Sequence, residues 1–106
     1  MTEGLDRLFA TIAARKGADP AQSYTAKLLA AGVEKCAKKF GEEATETVIA
    51  AIQRDKAELA KESADVLYHL AVLWAASGIT PEDVYAVLKT RESMSGLEEK
   101  ASRKDG

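Results

Sequence analysis

Hydrophobic positions recur along this chain at helical rather than strand spacing. Leu5, Leu8, Phe9, Ile12 and Ala13 form a stripe that predicts a first helix, closed near Gly17. "ADPAQS" reads as a turn, and "YTAKLLAAG" as a short helix capped by Ser23. Helical periodicity resumes from Val33 to about Gln53, interrupted by Gly41, where a bend or split is expected. "QRDK" (53–56) breaks the pattern before a further helix from about Lys56 to Ala76. Gly78 suits the position just past a helix end. Thr80, Pro81 and Asp83 supply an N-cap, a first-turn proline and a capping-box acid for a last helix to about Glu92. Residues 1–94 therefore read as one helical domain and 95–106 as a polar tail.

The two central helices differ in their apolar surface. From Val33 onward, Val33, Ala37, Phe40, Ala44 and Ala51 cluster on one side, and Val48, Ile49 and Ile52 widen the apolar surface beyond one stripe. From Lys56 onward, apolar residues occupy most of the circumference, which predicts a central helix. Its remaining polar strip carries Glu62, Asp65 and His69, joined by Glu58 at its start.

A short break between these helices makes them antiparallel neighbours. Glu46 and Glu62 then stand about equally far from the turn, as do Glu43 and Asp65, so each pair is level across the hairpin. Glu42 points nearly opposite on an ideal helix. Four carboxylates meeting in a half-buried cleft either rise in pKa or bind cations. Oxygen ligands suit hard ions such as Mg²⁺ or Mn²⁺, and Mg²⁺ is commonly completed by substrate phosphates. The cluster thus points to metal-assisted phosphate chemistry, in which a bound water is activated near neutral pH. Solvated acidic helix faces are nonetheless common, and a helical dimerisation module with a decorative acidic face fits the same spacing. Lys27, Lys38 and Lys39 lie near the acids and suit phosphate oxygens as point charges.

Composition narrows the classes. The chain has 106 residues, 46% of them hydrophobic, which suits one domain with a small core that gains from oligomerising. A net charge of −2 argues against a nucleic-acid protein. The single cysteine, Cys36, excludes an intrachain disulfide and reads as a buried thiol. No apolar run approaches the ~20 residues of a membrane span, and the N-terminus lacks a signal-peptide pattern. The cytoplasm is the expected location, with no membrane partner. P-loop, dinucleotide-binding and nucleophile-elbow motifs are absent.

"EEATE" (42–46) followed by "ESAD" (62–65) resembles the EExxE…ExxD signature of the all-α nucleotide pyrophosphohydrolases, the MazG-like superfamily. "SYTAKLLAAGVEKCAKKFGEEATETVIAA", "ESADVLYHLAVL", "GITPEDV" and "SGLEEKASRK" are most similar to the phosphoribosyl-ATP pyrophosphohydrolase family of histidine biosynthesis. With their connections they cover about four-fifths of the chain.

The resemblance implies an all-α antiparallel helical bundle completed by homodimerisation. It also implies Mg²⁺-dependent hydrolysis of 1-(5-phosphoribosyl)-ATP to phosphoribosyl-AMP and pyrophosphate. Carried over by position, it implies Glu43, Glu46, Glu62 and Asp65 as metal ligands. Glu42 becomes a candidate for orienting water. Lys38 and Lys39 become phosphate contacts, and Tyr24, Lys27 and His69 substrate or supporting groups. Lys100, Arg103 and Lys104 in the tail would order over phosphates. The neighbouring alternative is a house-cleaning enzyme acting on nucleoside triphosphates.

Overall fold

A computed structural model describes residues 3–92; Lys100, Arg103, Lys104 and the rest of the tail lie outside the described residues. Five helices follow one another: α1 (Glu3–Ala14), α2 (Tyr24–Ala31), α3 (Val33–Ile52), α4 (Lys56–Ser77) and α5 (Pro81–Arg91). Among the described residues there is no strand, so the fold is all-α as expected.

Local chemistry sets most of the boundaries. Ser23 Oγ accepts the Ala26 N–H at 3.1 Å and starts α2. Asp55 Oδ1 accepts the Glu58 N–H at 3.0 Å and starts α4. Thr80 and Asp83 form the anticipated reciprocal capping box at the start of α5. Gly78, with φ 79, closes α4 in the left-handed region, and the next residue's N–H reaches back to the Trp74 carbonyl at 3.1 Å.

Gly41 corrects one expectation. α3 runs unbroken from Val33 to Ile52, and Gly41 is not among the glycines with positive φ. The glycine costs some helix propensity without breaking the helix. Its lack of a side chain leaves open space beside the helix.

α3 and α4 form the hairpin on which the rest is assembled. α1 and α2 pack against α4, α2 also packs against α3, and α5 joins α1. The turn is made by Gln53, Arg54 and Asp55, with Arg54 at φ 59. The buried core joins Ile12, Leu28, Cys36, Ala71, Val72 and Ala75, flanked by Leu8, Phe9, Leu29 and Tyr68. Cys36 is fully buried and its Sγ lies 3.3 Å from the Leu28 carbonyl, consistent with a packing role; burial pushes its thiol pKa up. Tyr85 Oη donates to Asp6 Oδ1 at 2.9 Å and ties α5 to α1.

Ile12 is 1% exposed at the centre of this core. Ile12→Ala is expected to cost about 3 kcal/mol, from lost transfer energy plus a residual cavity. Denaturant unfolding measures the loss, and a change below about 1 kcal/mol would contradict the packing described.

The central helix is less enclosed than its circumference suggests. Leu67 on α4 is 49% exposed, and an apolar groove of about 400 Å³ runs between Gly4, Leu5 and Leu8 on α1 and Ala64 and Leu67 on α4. Val48, Ile49 and Ile52 at the end of α3 are exposed as well. Helical periodicity identified these faces as apolar, but within one chain nothing among the described residues covers them.

Candidate active site

The polar strip of α4 enters the hairpin where α3 turns acidic. Carboxylate oxygens of Glu43, Glu62 and Asp65 all lie within 4.8 Å of one another. Glu62 is 6% exposed, and it and His69 are the two buried polar or charged residues among those described. Each keeps one buried side-chain atom without a hydrogen-bond partner: Oε1 of Glu62 and Nδ1 of His69. An orphaned carboxylate oxygen in contact range of two further acids is costly unless a cation or a proton occupies the space between them.

The electrostatics agree with that geometry. A hydrogen bond with Glu58, then burial, then the charge of Glu46 raise the Glu62 pKa from its ordinary 4.5 to about 7. Burial raises Glu43, followed by the charges of Glu46 and Asp65. Burial lowers His69, followed by Lys39, so its ring is neutral at pH 7.

Glu46 stands slightly apart. It does not belong to the tight trio, yet its charge acts on both Glu43 and Glu62. With Glu58 and Glu62 it lines a hollow of about 140 Å³ bounded by Ile49, Ala50 and Gln53. Glu42 is exposed, lies outside the trio and forms an ion pair with Lys39 at 3.2 Å. The structure therefore brings together Glu43, Glu62 and Asp65, leaves Glu46 at the margin, and keeps Glu42 outside the trio.

Thr47 holds the two acidic helices at this level. Its hydroxyl donates to the Glu43 carbonyl at 2.8 Å and lies 3.3 Å from the Glu62 carbonyl across the hairpin. Sequence periodicity marked Thr47 only as a residue inside "EEATETV". Its position between the acid pairs was the available signal. Thr47→Val preserves shape and removes the tie. It is expected to cost about 1 kcal/mol. Thermal unfolding measures the loss.

The basic candidates separate. Lys27 and Lys39 line a cavity of about 260 Å³ between α2 and α3, together with Tyr24, Leu28, Ala31 and Lys35. Lys38 is exposed and is not one of its lining residues. Lys35 was not singled out in the sequence; its i,i+4 relation to Lys39 was the signal that could have found it.

Tyr24 meets the His69 ring edge-on at 6.4 Å, and Tyr68 meets it at 4.9 Å. Tyr68 Oη shares a 2.5 Å hydrogen bond with Thr25 Oγ1, so α2 is anchored to α4 next to the acids. The cavity and the acid cluster are thereby neighbours across Lys39, whose pKa is raised by its hydrogen bond to Glu42 and by the charges of Tyr24, Glu42 and Glu43.

Comparison with known proteins places this geometry in context. The family model described as phosphoribosyl-ATP pyrophosphohydrolase matches residues 5–92. A protein of Parvibaculum lavamentivorans named phosphoribosyl-ATP pyrophosphatase is 65% identical over 99 residues, covering 93% of this chain and 91% of that protein. Proteins of the same name from Cereibacter sphaeroides (93% of this chain, 96% of that one) and Paracoccus denitrificans (95% and 94%) are each 62% identical. The match takes in all five helices with the acidic hairpin, and the chain belongs to the phosphoribosyl-ATP pyrophosphohydrolase family.

Proposed function

We propose that this chain hydrolyses 1-(5-phosphoribosyl)-ATP between its α and β phosphates, yielding phosphoribosyl-AMP and pyrophosphate in histidine biosynthesis. The observation that carries the reading is the half-buried trio of Glu43, Glu62 and Asp65 with its orphaned Glu62 oxygen, in a chain whose relatives bear that enzyme's name.

The donor set fits a hard divalent cation, Mg²⁺ or in its place Mn²⁺. All the ligand atoms are carboxylate oxygens, and zinc's preferred cysteine and histidine set is missing from the trio. Glu43, Glu62 and Asp65 would hold the ion, with Glu46 joining from the margin. When bound, it supplies neutralisation of phosphate charge and activation of water.

The chain's own residues do the rest. The acids fix where the triphosphate sits, because an all-carboxylate wall repels phosphate unless a cation lies between them. Lys39 brings a positive charge to the edge of that wall. The His69 ring, held between Tyr24 and Tyr68, keeps a buried nitrogen without a hydrogen-bond partner beside them. Glu42, paired with Lys39, orients that lysine. One water is consumed, its oxygen bonds to phosphorus, the α–β bridge breaks, and one product keeps the bridging oxygen.

The active assembly in this reading is a homodimer in the cytoplasm. The apolar groove of α1 and α4 and the exposed Val48, Ile49 and Ile52 support an association of copies, since covering such area stabilises a small domain.

The test is pyrophosphate release from phosphoribosyl-ATP, with and without Mg²⁺. Metal-dependent release is expected. Preference for a canonical deoxynucleoside triphosphate over phosphoribosyl-ATP would reject this substrate. Retained activity in Glu46→Ala would remove Glu46 from the metal site.

A further inference from the structure

Apart from Lys39, the lysines of the cavity between α2 and α3 have no task in the chemistry at the acids. Lys27, Lys35 and Lys39 converge on it, and Lys35 and Lys39 are one turn apart on α3. Like charges at that spacing destabilise a helix unless an anion lies between them. Among the described residues, no carboxylate stands within ion-pair distance of Lys27 or Lys35. The opposite wall is Tyr24, Leu28 and Ala31, a surface suited to the carbon face of a sugar rather than to a second charge.

Charge is divided along α3. Lysines 35, 38 and 39 precede Gly41 together with one acid, Glu34, and the acids 42, 43 and 46 follow it. Lys35 stands about 12 Å along the helix axis from Glu43, at ~1.5 Å per residue. The substrate proposed above has the same division. Its triphosphate is a chelator and matches a carboxylate site through a cation. Its other phosphate is a monoester on the ribose attached to the adenine ring, one ribosylated nucleoside away. That monoester requires protein cations.

Resting on the phosphoribosyl-ATP reading, we infer that the cavity of Tyr24, Lys27, Lys35 and Lys39 holds the phosphoribosyl arm. It is the element that distinguishes this substrate from ATP. Lys35 is the specificity residue. Lys39 stands between the two halves of the site, in contact with Glu42 on one side and lining the cavity on the other.

Ribose 5-phosphate is the probe, titrated into the full-length chain without divalent metal. Saturable binding is expected in the parent and in Asp65→Asn. Lys35→Ala is expected to weaken it about tenfold or more, the size of a lost charged hydrogen bond. Lys35→Arg should recover part of it, since charge rather than shape is the requirement. In turnover, Lys35→Ala should lower kcat/KM for phosphoribosyl-ATP relative to kcat/KM for ATP by about the same factor. Circular dichroism checks that the variants keep their helices.

Unchanged ribose 5-phosphate affinity in Lys35→Ala overturns the inference, as does an equal loss on both nucleotides, which would assign Lys35 to the triphosphate. A parent that binds the sugar phosphate through Lys35 yet releases no pyrophosphate from phosphoribosyl-ATP overturns the reaction and upholds a sugar-phosphate site.

Discussion

Asp65→Asn is expected to lower pyrophosphate release from phosphoribosyl-ATP on the order of a thousandfold, the scale seen when a preorganised electrostatic partner of a reaction is removed. The side chain keeps its size and loses its charge, so packing in the hairpin is preserved. Asp65 is half-buried on α4, and its oxygens lie within 4.8 Å of those of Glu43 and Glu62. In the metal-free protein the substitution removes one of three mutually repelling charges. The melting temperature should therefore hold or rise. The stabilisation conferred by Mg²⁺ should shrink together with turnover, because an ion that binds only the folded state stabilises in proportion to its affinity. A merely solvated acidic face predicts neither change. Full activity with an unaltered Mg²⁺ effect would eliminate Asp65 from the site.

Chelation of divalent metal is expected to abolish turnover and to expose a pH-dependent instability. The Glu62 pKa is about 7 in the fold against an ordinary 4.5. Between those values the folded state holds a proton that the unfolded state has released, so stability falls as pH rises. The contribution is whole below pH 4.5 and is lost once pH passes about 7. Above that point both states are deprotonated and the trend stops. Burial and the neighbouring acids raise Glu43 as well, which adds to the fall. Thermal melts in chelator from pH 4.5 to 8 measure it. Glu62→Gln should flatten the profile, and Mg²⁺ should restore the parent near pH 7.5. A metal-free profile identical in parent and Glu62→Gln would show that the raised pKa has no thermodynamic weight.

The stabilising contacts and the proposed site residues lie on the same two helices. Thr47 sits between the acid pairs, bonding to a Glu43 carbonyl on its own helix and standing near a Glu62 carbonyl on the other. Ala50, one turn on, is buried in the hairpin. Carboxylates that repel one another are thus held together by neighbours on either side, which is the preorganisation the proposed cation site requires.

Much of this was legible along the chain because its causes are local. Ser23, Gly78 and the Thr80–Asp83 pair set helix ends through hydrogen bonds within a few residues. The spacing of Glu43 and Glu46, and of Glu62 and Asp65, puts each pair on one face of a helix in any fold. Cys36 was readable as buried from the stripe it shares.

Other features required the assembled hairpin. Successive residues differ by about 100° around a helix, so a small rotation of α3 against α4 decides which acids touch. Here it selects Glu43, Glu62 and Asp65 and leaves Glu46 at the edge of the trio. The packing of α2 against α3 puts Lys35, not Lys38, on the cavity. Gly41 looked like a bend or split, yet α3 runs through it without a break. The amino-acid order by itself determined five helices, their caps and two acidic faces, since those depend on contacts between near neighbours. Which acids cluster, which lysines line one cavity, and which apolar faces remain uncovered were decided only by tertiary packing. Each depends on the rotation and register of one helix against another, which no local hydrogen bond specifies.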